Sequence, residues 1–149
     1  MDPEKAIETY RNIIAASPQL RRDALVRIGK VHRRMKAYDA EIKAYEDALQ
    51  APPGETGVKN AELQFLIADT YEIMNLRDKA LEAYFKVPYL YPQETSWGVK
   101  AYLRVGKIYE NQEDWDKAVT AYQKVADMNV EESKFALERL DWVSQNRGK

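Results

Sequence analysis

Side-chain catalysis needs nucleophiles, acid–base groups or metal ligands in register, and this 149-residue sequence offers few. There is no cysteine and one histidine, His32. Without cysteine there is no disulfide, no thiolate nucleophile and no sulfur-based zinc site. A lone imidazole with no ordered carboxylate cluster makes a poor metal site. Carboxylates do occur in pairs, at Glu113-Asp114 and Glu131-Glu132. Both pairs fall at expected turns and helix starts, where negative charge complements the helix dipole rather than forming an acid–base dyad. No Gly-rich phosphate loop, GxSxG elbow or HExxH pattern is present. The sequence therefore points away from an enzyme, with no catalytic residue, no metal ligand and no cofactor expected.

The charge balance narrows the partners. Lys and Arg number 23 against 24 Asp and Glu, so no global basic field exists to hold nucleic acid or an anionic membrane. The basic stretch Arg21, Arg22, Arg27, Lys30, Arg33, Arg34 and Lys36 is flanked by Asp23, Asp39 and Glu41. It has no interleaved aromatic on which bases could stack, and nucleic acid is not the expected partner. No apolar run approaches the roughly 18 residues of a membrane span. Met1-Asp2-Pro3-Glu4-Lys5 lacks the basic n-region and apolar core of a signal peptide. The expected compartment is the cytoplasm, or the bacterial periplasm and cell envelope if the sequence is an excerpt of a longer secreted chain. What the sequence does hold in quantity is tyrosine, ten of them.

The elements that carry these residues read as helices throughout. Asp2-Pro3-Glu4 is a helix start, with an N-cap acceptor, Pro at N1 and an acid near the positive end of the dipole. Apolar residues then recur at helical spacing over about 3–17, 22–35, 39–50, 59–74, 78–87, 97–112, 116–128 and 131–146, and no segment alternates with period two. Pro52-Pro53-Gly54-Glu55-Thr56-Gly57 is a loop. Pro88 removes a backbone donor inside a helical pattern, so that helix is expected to end or kink early. Tyr89, Leu90, Tyr91 and Trp97 would then lie on a non-helical junction, with Tyr89, Tyr91 and Trp97 as an aromatic patch.

Three segments align on one another. Gly29, Ala68 and Gly106 share a position, followed three residues later by His32, Tyr71 and Tyr109. Sixteen residues after the small residue stand Tyr45, Tyr84 and Tyr122, then Ala48, Val87 and Val125. Ala80 and Ala118 share a further position, where the first copy has Glu41. The N-terminal helix fits the second half of the same unit through Ala6, Tyr10, Ile13 and Pro18. This pattern resembles the tetratricopeptide repeat family, whose unit of about 34 residues is a helix–turn–helix. The copies would be 22–55, 61–94 and 99–132, after a half repeat at 1–18 and before a capping helix at 131–146. Their starts are 39 and 38 residues apart. That long pitch, with Tyr91-Pro92 and Ser96-Trp97 at a junction, is similar to tetratricopeptide proteins of the bacterial cell envelope, such as those that bind TolA or assist outer-membrane assembly.

The resemblance implies an all-α superhelix, an α-solenoid of antiparallel hairpins that bury their faces against neighbouring repeats. It also implies a concave groove built from the first helix of each repeat. Mapped onto this sequence, the groove holds Val26, Lys30, Arg33 and Arg34, then Phe65, Leu66 and Asp69, then Lys100, Leu103, Arg104 and Lys107. Val26, Phe65, Leu66 and Leu103 would form an apolar floor, and the arginines and lysines would read charge. The expected function is protein–protein interaction, with a partner peptide or helix bound in the groove. The alternatives are self-assembly through the N-terminal half repeat and a regulatory role in a longer protein. In the capping helix, Ala136, Leu137, Leu140 and Val143 would pack inward while Glu132, Arg139 and Asp141 face water.

Overall fold

The computed structural model describes residues 2–53 and 57–149, so the middle of the expected Pro52–Gly57 loop, residues 54–56, lies outside the described residues. Among these there are eight α-helices: α1 (Pro3–Ala16), α2 (Arg21–Arg34), α3 (Tyr38–Gln50), α4 (Asn60–Ile73), α5 (Arg77–Leu90), α6 (Thr95–Asn111), α7 (Trp115–Ala126) and α8 (Ser133–Asn146). A short 3-10 turn at Pro18–Leu20 joins α1 to α2. The helices pack as sequential antiparallel pairs, α2 with α3, α4 with α5 and α6 with α7, and successive pairs stack into a superhelix. The first helix packs on α2 and the last on α7.

The same local chemistry builds each hairpin. Lys36, Asn75 and Glu113 all adopt left-handed backbone, with φ of 58°, 60° and 57°. The next residue's amide in each case reaches back to the helix just ended, Ala37 to His32, Leu76 to Tyr71 and Asp114 to Tyr109, at 2.9 Å. A left-handed residue just past the last helical turn satisfies carbonyls that would otherwise lack a donor, and it reverses the chain. The paired helices then approach closely. A Cβ on Gly106 would lie 2.6 Å from Cε1 of Tyr122, and one on Gly29 would overlap the Tyr45 ring in the same way. Tyr45, Tyr84 and Tyr122 are fully buried at these crossings, surrounded by small and β-branched residues such as Ala48, Val87 and Val125.

Two expectations about local structure are corrected. First, α5 does not stop at Pro88 but continues to Leu90, with Pro88 in its last turn. The donor that proline removes would have served only Tyr84 O, and the helix end is closed past it by Tyr91 N donating to Val87 O at 3.0 Å. Tyr89 and Leu90 are therefore helical, and Trp97 lies in the first turn of α6 rather than on an irregular junction. Second, in α8, Ala136 and Val143 are buried and Leu140 partly so, but Leu137 is 56% exposed and Arg139 turns inward to Glu110. The register explains both. Ala136, Leu140 and Val143 occupy the places of Ala101, Val105 and Ile108 in α6, and Arg139 that of Arg104. Leu137 falls where Tyr102 falls in α6, and α8 has no following helix among the described residues to cover it.

Candidate protein-binding face

The first helices of the hairpins, α2, α4 and α6, together with α8, are joined along one face by charged hydrogen bonds. Arg33 donates through Nε to Glu41 Oε1 at 2.6 Å, through Nη1 to Asp69 Oδ2 at 2.8 Å and through Nη2 to Thr70 Oγ1 at 3.0 Å. Asp69 also receives Arg104 Nη2 on its other oxygen. Arg104 Nε donates to Glu72 Oε1 at 3.1 Å, and Glu110 is held by Arg139. The acids at equivalent positions, Glu72 and Glu110, each accept the buried tyrosine hydroxyl of their own hairpin, Tyr84 and Tyr122, at 2.7 Å. Each hairpin is thereby pinned within itself and to the next.

The first repeat runs the same scheme with its charges exchanged. The position of Glu72 and Glu110 is taken by Arg33, and the position of Ala80 and Ala118 by Glu41. Glu41 is fully buried and supplies the carboxylate beside Tyr45 from α3 itself, whereas Glu72 and Glu110 reach their tyrosines from the first helix of the hairpin. Burial of the phenol and this carboxylate push Tyr45 up from its ordinary range. Burial and the hydrogen bond to Glu72 do the same to Tyr84, and burial alone pushes Tyr122 up to about 12. Burial works against the Arg33 and Arg104 guanidiniums, but their carboxylate partners and, for Arg104, Tyr84 outweigh it and hold both firmly charged. Glu72 and Glu110 fall at groove-facing positions of the repeat register, whereas Glu41, Thr70 and Arg139 were not among the expected groove residues. The only sequence signal for them was the departure of Glu41 from the alanine found in the other copies.

The expected groove residues are distributed as follows. Val26 is buried in the core, while Leu66 and Leu103 are half-buried. Phe65 is half-buried and stacks with Tyr84 and Trp97, its ring centroid 5.4 Å from each. Arg33, Asp69 and Arg104 are committed to the network above. Lys30, Lys100 and Lys107 are exposed, with Lys100 Nζ 4.2 Å above the Trp97 ring. Arg34 lines a recess with Pro3, Ala6 and Met35 at the edge of α1. Of the suggested aromatic patch, Trp97 stacks on Phe65 and Tyr91 lines a recess with Arg22 and Glu94. Tyr89 lines a cleft with Phe85, Pro88 and Tyr102.

His32 is half-buried beside α1, and burial and Arg11 lower its pKa against the opposing pull of Glu41, which favours a neutral packing ring. Among the described residues no group of three His, Cys, Asp or Glu side chains is placed to hold a metal ion. None of their helices is long and apolar enough to cross a membrane.

An all-α array of helical hairpins with a shared inner face is the architecture of a helical repeat protein, a class whose function is generally to bind other proteins. Residues 2–56 and 100–129 each match a model of the tetratricopeptide repeat. The chain is a tetratricopeptide repeat protein, a kind of domain that is typically non-catalytic. Its fold is similar to a crystal structure of MamA, with a TM-score of 0.70 and 18% identity over 99% of this chain and 80% of that one. It is equally similar to a tetratricopeptide repeat protein from Parabacteroides merdae ATCC 43184, with a TM-score of 0.70 and 19% identity over 97% of this chain. The chain spans 55% of that relative's length. A further MamA structure matches with a TM-score of 0.60 and 20% identity over 83% of this chain and 62% of that one. No curated protein matches the sequence.

Proposed function

We propose that the concave face formed by α2, α4 and α6 binds a segment of a partner protein, and that this segment is acidic with aliphatic or aromatic anchors. The carrying observation is which charges on the face are already used. Asp69, Glu72 and Glu110 are tied up by Arg33, Arg104 and Arg139. Lys30 and Lys107 stand exposed with no carboxylate within ion-pair distance among the described residues. The face thus turns lysine charge outward around the half-buried Leu66 and Leu103, a combination that favours an acidic, apolar-anchored segment. Arg33 and Arg104 hold the helices together, so Lys30, Lys100 and Lys107 are the charge readers in this reading. The division into repeats at 22–55, 61–94 and 99–132, with 1–18 as a half repeat, belongs to the same reading.

A fluorescent acidic amphipathic peptide and its lysine-reversed counterpart test it by anisotropy. The acidic peptide should bind with roughly micromolar affinity, about −8 kcal/mol. The Lys30→Glu, Lys107→Glu double variant should weaken it by about tenfold or more while improving the basic peptide. Equal binding of both peptides, or no change in the variant, would overturn the proposal. The alternatives have narrower support. Self-assembly draws on the exposed Phe135, Leu137 and Trp142 of α8 as well as on the half repeat, and light scattering across concentration tests it. A role within a longer cell-envelope protein rests on the repeat pitch and on the Tyr91-Pro92 and Ser96-Trp97 junction.

A further inference from the structure

The outer surface of α5 carries a feature that its counterparts lack. Glu82, Phe85, Lys86 and Tyr89 share one side of the helix at helical spacing. Tyr89 is 82% exposed and Phe85 41%. At the same positions the first hairpin has Glu46 and Gln50, and the third has Gln123 in α7 and Asp127 just past its end. The other two hairpins show that this surface of the second helix needs no aromatic to fold, so Phe85 and Tyr89 are not explained by packing. Together with Pro88 and with Tyr102 of α6 they wall an open cleft of about 610 Å³. The cleft lies apart from the concave face, and none of its residues belongs to the charge network there.

We infer that this cleft binds an extended, proline-rich segment of a partner protein. The charges argue for it first. The two charged groups of the lining, Glu82 and Lys86, are paired with each other at 3.5 Å, so the cleft complements an uncharged segment and offers nothing to a strongly acidic or basic one. The polarity of the walls argues next. The lining includes two phenol hydroxyls, of Tyr89 and Tyr102, and neither donates to another described residue. An amphipathic helix satisfies its own carbonyls and would leave those donors unused. A polyproline II chain has no internal hydrogen bonds, so it presents bare carbonyls for tyrosine hydroxyls and rigid rings for aromatic faces.

The probe is a fluorescently labelled decaproline peptide titrated with the full chain. Saturable binding is expected. Phe85→Gln with Tyr89→Asp, which gives α5 the residues that the third hairpin carries at those positions, should weaken it by about tenfold or more, as loss of aromatic anchors does. Tyr89→Phe, which removes only the hydroxyl, should weaken it by a smaller factor. Tyr89→Phe should keep the wild-type thermal midpoint, because Tyr89 is 82% exposed, and circular dichroism should show the double variant still folded at the assay temperature. The Lys30→Glu, Lys107→Glu variant should bind decaproline as well as the wild type does, which separates this cleft from the concave face. Absence of saturable binding, or binding indifferent to the double substitution on α5, would overturn the inference. So would a concentration-dependent dimer in sedimentation that the same substitution abolishes, because the occupant would then be a second copy of the chain.

Discussion

At the scale of single residues, the buried tyrosines are the main structural investment of this chain, and two measurements address them. Tyr45, Tyr84 and Tyr122 have phenols raised above the ordinary value of 10 in the folded state, Tyr122 to about 12. A phenol whose folded pKa exceeds its unfolded one stabilises the fold fully below pH 10, and that contribution is lost as pH rises through the folded value. For Tyr122 the window is therefore about pH 10 to 12. Phenolate absorbance followed alongside circular dichroism should show these three of the ten tyrosines lagging and titrating together with unfolding. Titration of all ten in one step, with helicity intact, would contradict their burial. The crossing residues give the second test. Gly106→Val places branched carbon against the Tyr122 ring, which is tethered to Glu110, and should destabilise by about 2 kcal/mol or more in urea denaturation.

At the scale of elements, the turns are a place where the chain is not optimised. Lys36 and Glu113 hold left-handed backbone with a Cβ in place, at a cost of about 1 kcal/mol each. Glu113→Gly should raise stability by about 0.5–1 kcal/mol, read as a higher thermal midpoint, because glycine takes that backbone without steric cost. The helices and their pairing were legible in the sequence, because Gly29, Ala68 and Gly106 stand sixteen residues before Tyr45, Tyr84 and Tyr122 and one crossing explains all three. The path of α5 was less so. Proline cost depends on which carbonyl loses its donor, and near a helix end that loss is small, so Pro88 sits in the last turn without ending it. Leu137 looked like core because it lies beside Ala136 in an amphipathic stretch. Only the alignment of α8 with α6 shows that it faces the side a partner helix would cover. The charge network was least legible. Its bonds between hairpins join residues 29–37 apart, and which arginine meets which acid depends on how neighbouring helices are rotated, which no local pattern encodes.

At the scale of the whole molecule, that network makes the inner face a structural element as well as a surface. Asp69 joins α2 to α6 by accepting from both Arg33 and Arg104. Asp69→Ala should cost about 1–3 kcal/mol in urea denaturation, since charged hydrogen bonds are lost and two guanidiniums are left facing one another. High salt should narrow the gap between variant and wild type by screening that repulsion. The same commitment of arginines to acids is what leaves lysines as the outward charge, and so it is the origin of the preference proposed for the partner. The measurement that tests this most directly is selection of a random displayed peptide library on the full chain, followed by counter-selection on Lys30→Glu, Lys107→Glu. A class of acidic peptides with aliphatic or aromatic anchors, bound by the wild type and lost on the variant, is the expected result. A selected pool without an acidic class, or an acidic class retained equally by the charge-reversed variant, would contradict the account.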